Sequence, residues 1–530
     1  MPITLFMWIL AVIPILVLLY LMIFKQFKAN KAAPIGLLFA LINATLFYKA
    51  NLSLILNESL KGLWNSFNII YVVFPAILLY ELVNRAKAFD VFKNVLKKAV
   101  PNELIRILTI SYVFVSFLQG ITGFGVPVLV GAPLLISIGV SPFYAVVLPL
   151  LGHSWAGTFG TLAVAWDALV LNSGITGVLV TNAALWAGVF IWIFNFLAGI
   201  IQTIFYGGIK GLKKGFFAVF IISLIQGGGQ LLLTQVNTTL AAFIPALISL
   251  VVILLISKLP IYKDKWQIDN SKVMNRDQEE SIEEETNMNM HQAFSPFYLL
   301  SFISLFILLV SPIRNLLSQF KIGFSFSETK TGYGFINPAV LSYSPIAFLT
   351  HAGTFLFISA IFAFLFYNKN NWLEKNEFKN ALRSTFKKTI PSAITVTSFI
   401  IMSRIMSGSG QTLVLAEGIA NTLGIVYVIL TPFVGLLGAF MTSSNMSSNI
   451  LFAEFQLTIA TKLNINEALI LGAQTAGGSI GNAMTPGNIV LGVTTANIVG
   501  SEGKILKKMI PILLSIALFV GIILLILIII

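Results

Sequence analysis

Five ionisable side chains of this sequence stand inside long apolar runs. Arg404 closes the run from Ala393 to Met402, Glu417 and Glu454 lie further along, Asp167 ends GTFGTLAVAW, and His153 sits in PLLGHSWAG. An ionisable group at membrane depth is costly and is kept where it has work to do. A guanidinium can clamp both oxygens of a carboxylate, so Arg404 reads as the anion ligand. Glu417, Glu454 and Asp167 are the groups that could take and release a proton. His153 can donate, accept or titrate, or simply be satisfied by a backbone carbonyl. Glu417 could instead pair with Arg404, 13 positions before it. On one unbroken helix they would lie about 20 Å apart, so pairing needs the chain to fold back between them. His351, in FLTHAGTF, has no such motif beside it, and His291 belongs to a polar stretch.

Breaks in helix chemistry accompany these groups. ITGFGVPVLVGAP (121–133) carries Gly123, Gly125 and Pro127, and IMSGSGQTLVLAEG (405–418) carries Gly408 and Gly410. Backbone polar groups in hydrocarbon must be bonded, so a break survives only where protein, water or a ligand satisfies them. A helix restarting after a break aims free N–H groups at the gap, which suits a small anion. MTSSNMSSNILFAE (441–454) supplies Ser444, Asn445, Ser448 and Asn449, and QTAGGSIGNAMTPGN (474–488) repeats the break chemistry with Gly477, Gly478, Gly481 and Pro486. Coordination of Na⁺ by such short oxygen side chains stays open beside proton coupling.

The elements that must position these residues are membrane helices. The 530-residue chain is 57% hydrophobic and 10% charged, against about 25% charged in a soluble domain. Apolar runs recur from end to end, among them 3–24, 64–82, 143–166 and 338–367. The expected fold is an all-α polytopic membrane protein of about 12–14 transmembrane helices, with discontinuous helices or re-entrant hairpins. Residues 3–24, followed by Lys25, Lys28 and Lys31, read as a retained span rather than a signal peptide. The net charge of +13 is concentrated in short loops: 81–106 with Arg85, Lys87, Lys93, Lys97, Lys98 and Arg106, then 207–215 and 369–388. That is the positive-inside pattern together with contact to anionic lipid, not a nucleic-acid surface. The absence of cysteine and the presence of three histidines leave no metal spacing.

Residues 258–293, with the acidic DQEESIEEETNMNM, read as a polar cytoplasmic linker between halves 1–257 and 294–530. A shift of 285 residues brings Gly123 onto Gly408, Gly125 onto Gly410, Gly139 onto Gly424 and Gln119 onto Arg404. Duplicated halves with broken helices where they meet are a transporter plan. An anion channel is the rival without proton coupling, and a membrane enzyme would need a converging nucleophile and base that this sequence does not offer.

The run Ser116 to His153, with G-I-T-G-F-G-V-P at Gly120–Pro127, resembles the first signature of the lactate permease family. GAFMTSSNMSSNILFAEFQ and QTAGGSIGNAMTPGNI resemble its second and third. The resemblance implies an H⁺-coupled symporter of L-lactate, D-lactate or glycolate in a bacterial plasma membrane, without a cofactor, and kinship to folds of inverted repeats. Basic loops before both motifs favour halves of the same orientation, in conflict with that kinship. Two departures bear on substrate and coupling ion. Gln119 stands where the family often has Glu, and GTFGTLAVAWDAL replaces a small-polar run. In this reading Arg404 and the N–H groups at Gly123, Gly125, Gly408 and Gly410 bind the carboxylate. Gln119, His153, Ser444, Asn445, Ser448 and Asn449 complete the solute site, and Glu417, Glu454 or Asp167 takes the proton. A Na⁺-coupled carboxylate symporter or a channel is the alternative.

Overall fold

A computed structural model describes residues 2–25, 27–91, 100–123, 125–276 and 287–529. Lys93, Lys97 and Lys98 of the basic loop, Phe124 of the first signature and all of DQEESIEEET (277–286) lie outside the described residues. Eleven helices among the described residues are long and apolar enough to cross a membrane, and the lipid-facing surfaces carry exposed Leu, Ile and Phe, as at Leu56, Leu60, Phe302 and Phe306. The chain is a multi-pass membrane protein.

The N-terminal part runs through α1 (Leu5–Leu19), α2 (Ala29–Leu46), α3 (Leu52–Arg85) and α4 (Glu103–Ile121). Helix α3 starts well before residue 64, where the apolar run alone would place it; Asn51 caps it by accepting from the Leu54 N–H at 2.9 Å. After a break come α5 (Val126–Ser137), α6 (Pro142–Ser154), α7 (Gly160–Ser173), α8 (Val178–Ser223), which is two helical stretches joined by a kink at Gly207 and Gly208, and α9 (Phe243–Ile256). The C-terminal part holds α10 (Met290–Leu309), α11 (Ala352–Lys369), α12 (Lys375–Gly408), α13 (Gln411–Leu423), α14 (Tyr427–Thr442), α15 (Asn445–Lys462), α16 (Glu467–Asn482), α17 (Pro486–Thr495) and α18 (Glu502–Ile529).

The duplication is visible in these bounds. Helices α13, α14 and α15 each begin 285 residues after α5, α6 and α7. The residue before each restarted helix adopts the same left-handed conformation: φ 82°, ψ −6° at Gly125 and φ 84°, ψ 7° at Gly410. Glycine alone takes that conformation without steric cost. Counterparts also pack on each other, α7 on α15 and α8 on α16. A Cβ on Gly472 would lie 2.8 Å from the backbone nitrogen of Ala187, its own counterpart. A residue touching its counterpart marks the axis that relates two copies, so the halves face one another about that point.

Three expectations change. The run 143–166 is not one span: α6 ends at Ser154, and Thr161, Leu162 and Ala163 take positive φ of 50°, 52° and 68°. The run 338–367 begins as a strand. Strand β1 (Lys321–Phe326) pairs antiparallel with β4 (Val340–Ala347), and β2 (Thr329–Lys330) pairs with β3 (Ile336–Asn337), a short hairpin added to an otherwise helical protein. The β1–β4 pairing is irregular, with register shifts between Ile322 and Phe324 and between Phe324 and Phe326. Finally, Gly477, Gly478 and Gly481 do not break a helix; they lie inside continuous α16. A Cβ on Gly477 would come within 2.0 Å of the Pro432 carbonyl, and one on Gly481 within 2.5 Å of that of Leu436. Their missing side chains let α14 and α16 touch backbone to backbone. The interruption falls instead at Ala483–Thr485, and Pro486 opens α17, where its absent N–H costs nothing.

The first part of the linker is anchored. Ser141 N–H donates to Val273 O at 2.8 Å, Asn275 N–H to Gly139 O at 2.8 Å, and Arg276 holds Glu103 at 2.5 and 2.9 Å.

Candidate functional site

Arg404 lies one turn before the second break, on the face of α12 that packs along α3. Its Nε and Nη2 donate to Glu58 Oε2 at 2.9 and 2.6 Å. Lys61 Nζ donates to the other oxygen, Oε1, at 2.7 Å. Glu58 and Lys61 stand three residues apart on α3, hence on one helix face, and both are buried. Gly408 makes the approach possible, since a Cβ there would lie 2.7 Å from Glu58 Cγ. Gly62 does the same one turn back, with Ile401 at 2.8 Å.

Glu454 reaches the group from α15. Ser407 Oγ donates to its Oε1, while Oε2 is buried without a hydrogen bond. A cavity of about 20 Å³ beside Glu454, Ser403 and Thr412 has room for roughly one water. The hairpin covers the far side. The Tyr343 ring lies 5.8 Å from Arg404 Cζ and 5.7 Å from Lys61 Nζ, and the Phe326 ring 5.6 Å from Lys61, all within cation–π range. Asn65 Nδ2 donates to the Tyr343 hydroxyl at 3.0 Å, and Asn337 Nδ2 to the Gly408 carbonyl at 2.9 Å, an acceptor that the helix end leaves free. Two cations and two carboxyl groups thus meet at a helix break.

A second polar cluster lies between the ends of α6 and α7 and helices α15 and α16, near the first break. Thr158 Oγ1 lies 2.9 Å from Thr475 Oγ1 and 2.8 Å from Ser479 Oγ. Asn445 Nδ2 donates to Thr158 Oγ1 at 3.0 Å, and Asn449 Nδ2 to Ala165 O at 2.9 Å and to Thr475 Oγ1 at 2.8 Å. Ser448 Oγ donates to Gly435 O at 2.8 Å, and Ser444 caps α15. A Cβ on Gly123 would lie 2.3 Å from Thr161 Oγ1 and 3.3 Å from Gln119 Nε2; one on Gly125 would meet Leu491 Cδ1 at 2.3 Å. Gln119, buried, packs against Gly160 through its carbonyl. This cluster is neutral and joins both copies. The left-handed run at 161–163 costs about 1–2 kcal/mol per residue, and this packing holds it in place.

Of the residues singled out in the sequence, Arg404, Gly408, Gly410 and Glu454 gather at the second break. Gln119 and Gly123 lie together at the first beside Thr161, and Gly125 faces Leu491 and Asn488, whereas Asn445 and Asn449 join the Thr158 cluster and Ser448 bonds Gly435. Glu417 stands apart. It pairs with the part-exposed Lys462 and not with Arg404, because α13 continues away from the break and carries it out. Asp167, half-buried on α7, makes no hydrogen bond or ion pair among the described residues. His153 bonds Pro149 O through Nδ1 at 2.6 Å, leaving Nε2 unpartnered. His351 bonds Asn68 Oδ1 at 2.6 Å. No group of three His, Cys, Asp or Glu side chains among the described residues could hold a metal. The sequence reading missed Glu58, Lys61 and Tyr343; the signal available for the first two was Glu-x-x-Lys within NLSLILNESLKGLW.

The sequence pattern of the L-lactate permease family matches residues 7–530. The chain belongs to the L-lactate permease family. An L-lactate permease of Halalkalibacterium halodurans is 26% identical over 520 residues, covering 97% of this chain and 95% of that protein. The glycolate permease GlcA of Escherichia coli is 25% identical over 548 residues, covering 97% and 94%. An L-lactate permease of Bacillus subtilis is 23% identical over 529 residues, covering 94% and 91%. Among solved structures, the Alcanivorax borkumensis YdaH transporter overlaps 88% of this permease and 86% of its own chain, at a TM-score of 0.48 and 14% identity. Membership of this family implies transport of lactate-like solutes by a multi-pass bacterial membrane protein.

Proposed function

We propose that this permease moves L-lactate, or a similarly small 2-hydroxy monocarboxylate such as glycolate or D-lactate, together with a proton. The buried group of Arg404, Lys61, Glu58 and Glu454 carries this reading. With both carboxyl groups ionised its formal charge is zero. A solute carboxylate on Arg404 makes it −1, and an uncompensated charge in a low-dielectric site is strongly disfavoured. A proton on Glu454, whose second oxygen is unpartnered, restores neutrality. Proton and anion then enter together or not at all. The amides of Asn445 and Asn449, on the same helix α15 as Glu454, are the partners for the solute hydroxyl, and movement of one copy against the other gives alternating access.

Purified permease in liposomes, acidic outside and alkaline inside, is the test. Labelled L-lactate should accumulate above its external concentration, and a protonophore should abolish the accumulation. Accumulation that follows a Na⁺ gradient and ignores the pH gradient would replace the proton by Na⁺. Equilibration without accumulation under either gradient would make the protein a channel. A panel of short 2-hydroxy acids, pyruvate and dicarboxylates identifies the solute.

A further inference from the structure

Glu58 has no place in the sequence signatures, yet it is the group that Arg404 grips. Both its oxygens are engaged, each on a different element. Oε2 takes two N–H groups of Arg404 from α12, and Oε1 takes Lys61 from its own helix. The edge of Arg404 formed by Nε and Nη2, which would recognise a solute carboxylate, is therefore already filled by a carboxylate. The small cavity nearby, about 20 Å³, borders Glu454 and not this edge of Arg404.

We propose that Glu58 is an internal stand-in for the solute: it neutralises Arg404 in the empty permease and yields that edge to the solute carboxylate on loading. The proposal rests on the functional reading above. The two-sided grip makes the exchange affordable. When Oε2 lets go of Arg404, Oε1 stays on Lys61, so the released carboxylate is not left unpaired. Arg404 passes from one carboxylate to another and is never bare. The charged and titratable groups facing Glu58 are Lys61 from α3, Arg404 from α12, Tyr343 from the hairpin and Glu454 from α15. Because the Arg404 pair joins α3 to α12, its exchange also changes what binds those helices together.

The consequence separates two halves of the transport cycle. The loaded permease reorients with solute on Arg404; where Glu58 is neutral, Glu454 stays ionised and the group is again without net charge. The empty permease reorients only if Glu58 covers Arg404. In liposomes, Glu58→Gln should lower net L-lactate uptake by about tenfold or more, since a bare buried cation opposes the empty step. Exchange of labelled external for unlabelled internal L-lactate should fall much less than net uptake, because neither direction requires the empty permease to reorient. Half-maximal exchange should also need less L-lactate, the internal competitor being weakened. Glu58→Gln combined with Lys61→Gln keeps the charge balance and guards against loss of folded protein; the same split is expected. Net uptake and exchange falling in parallel in monodisperse protein, or both unchanged, would overturn the proposal while leaving the functional reading intact. Wild-type permease that exchanges no 2-hydroxy acid would overturn the functional reading and the proposal with it.

Discussion

The two helix breaks share a backbone and differ in chemistry. Gly125 and Gly410 take the same left-handed conformation, and the helices after them start 285 residues apart. One turn or more before the glycine, however, the first copy carries Gln119 and the second Arg404. Beside the first break lie Thr161, Gln119 and, at the start of α7, the neutral cluster of Thr158, Asn445 and Asn449; around the second lie Glu58, Lys61 and Glu454. The duplication supplied two gaps in the helical scaffold, and the sequences then diverged so that one gap holds charge and the other neutral hydrogen bonds. Under the function proposed above this divides the labour: charge recognition and proton balance in one copy, hydroxyl recognition and the joint between copies in the other.

The division is broken most severely at Arg404. Arg404→Gln should abolish uptake, and removing one partner of a buried ion pair should cost about 3–5 kcal/mol of stability; denaturation in detergent measures the latter. Arg404→Lys keeps charge but loses the planar fork, and should bind solute more weakly by about tenfold. At the neutral break, Asn449→Ala removes bonds to Ala165 O and Thr475 Oγ1. It should cost about 1–3 kcal/mol and weaken solute affinity while leaving the proton-to-solute ratio unchanged. Gly410→Ala and Gly125→Ala probe what the copies share. Each should lose about 1–2 kcal/mol from its positive φ, and at Gly125 the added Cβ also meets Leu491 Cδ1 at 2.3 Å. The smallest effect belongs to the part-exposed pair of Glu417 and Lys462. Glu417→Gln should change stability by less than about 1 kcal/mol and leave pH-driven uptake unchanged; lost uptake would return Glu417 to the proton path.

These contrasts also explain what the sequence disclosed. The breaks at Gly123–Gly125 and Gly408–Gly410, and their 285-residue spacing, are local features that glycine chemistry makes readable. The Arg404 site is only half readable. Arg404 stands out in an apolar run, but its partner Glu58 lies 346 residues away, on a stretch polar enough to pass for a loop. Glycine is also ambiguous by itself. Gly477 and Gly481 resemble a break in composition, and only the Pro432 and Leu436 carbonyls opposite them show that they serve close packing. The hairpin over the site eluded the reading because 338–367 merges a strand and a helix into one apolar run. Glu417 misled for the opposite reason: proximity in sequence to the break does not survive two further turns of α13.

Charge balance at the second break is the claim on which the rest stands, and counting protons tests it most directly. Permease in liposomes containing a pH-sensitive dye, at zero pH gradient and with the membrane potential clamped by potassium and valinomycin, should acidify its lumen as L-lactate enters. The account predicts about one proton per monocarboxylate and an initial rate indifferent to the clamped voltage. Lactate entry without proton movement, or entry that rises and falls with voltage, would contradict it.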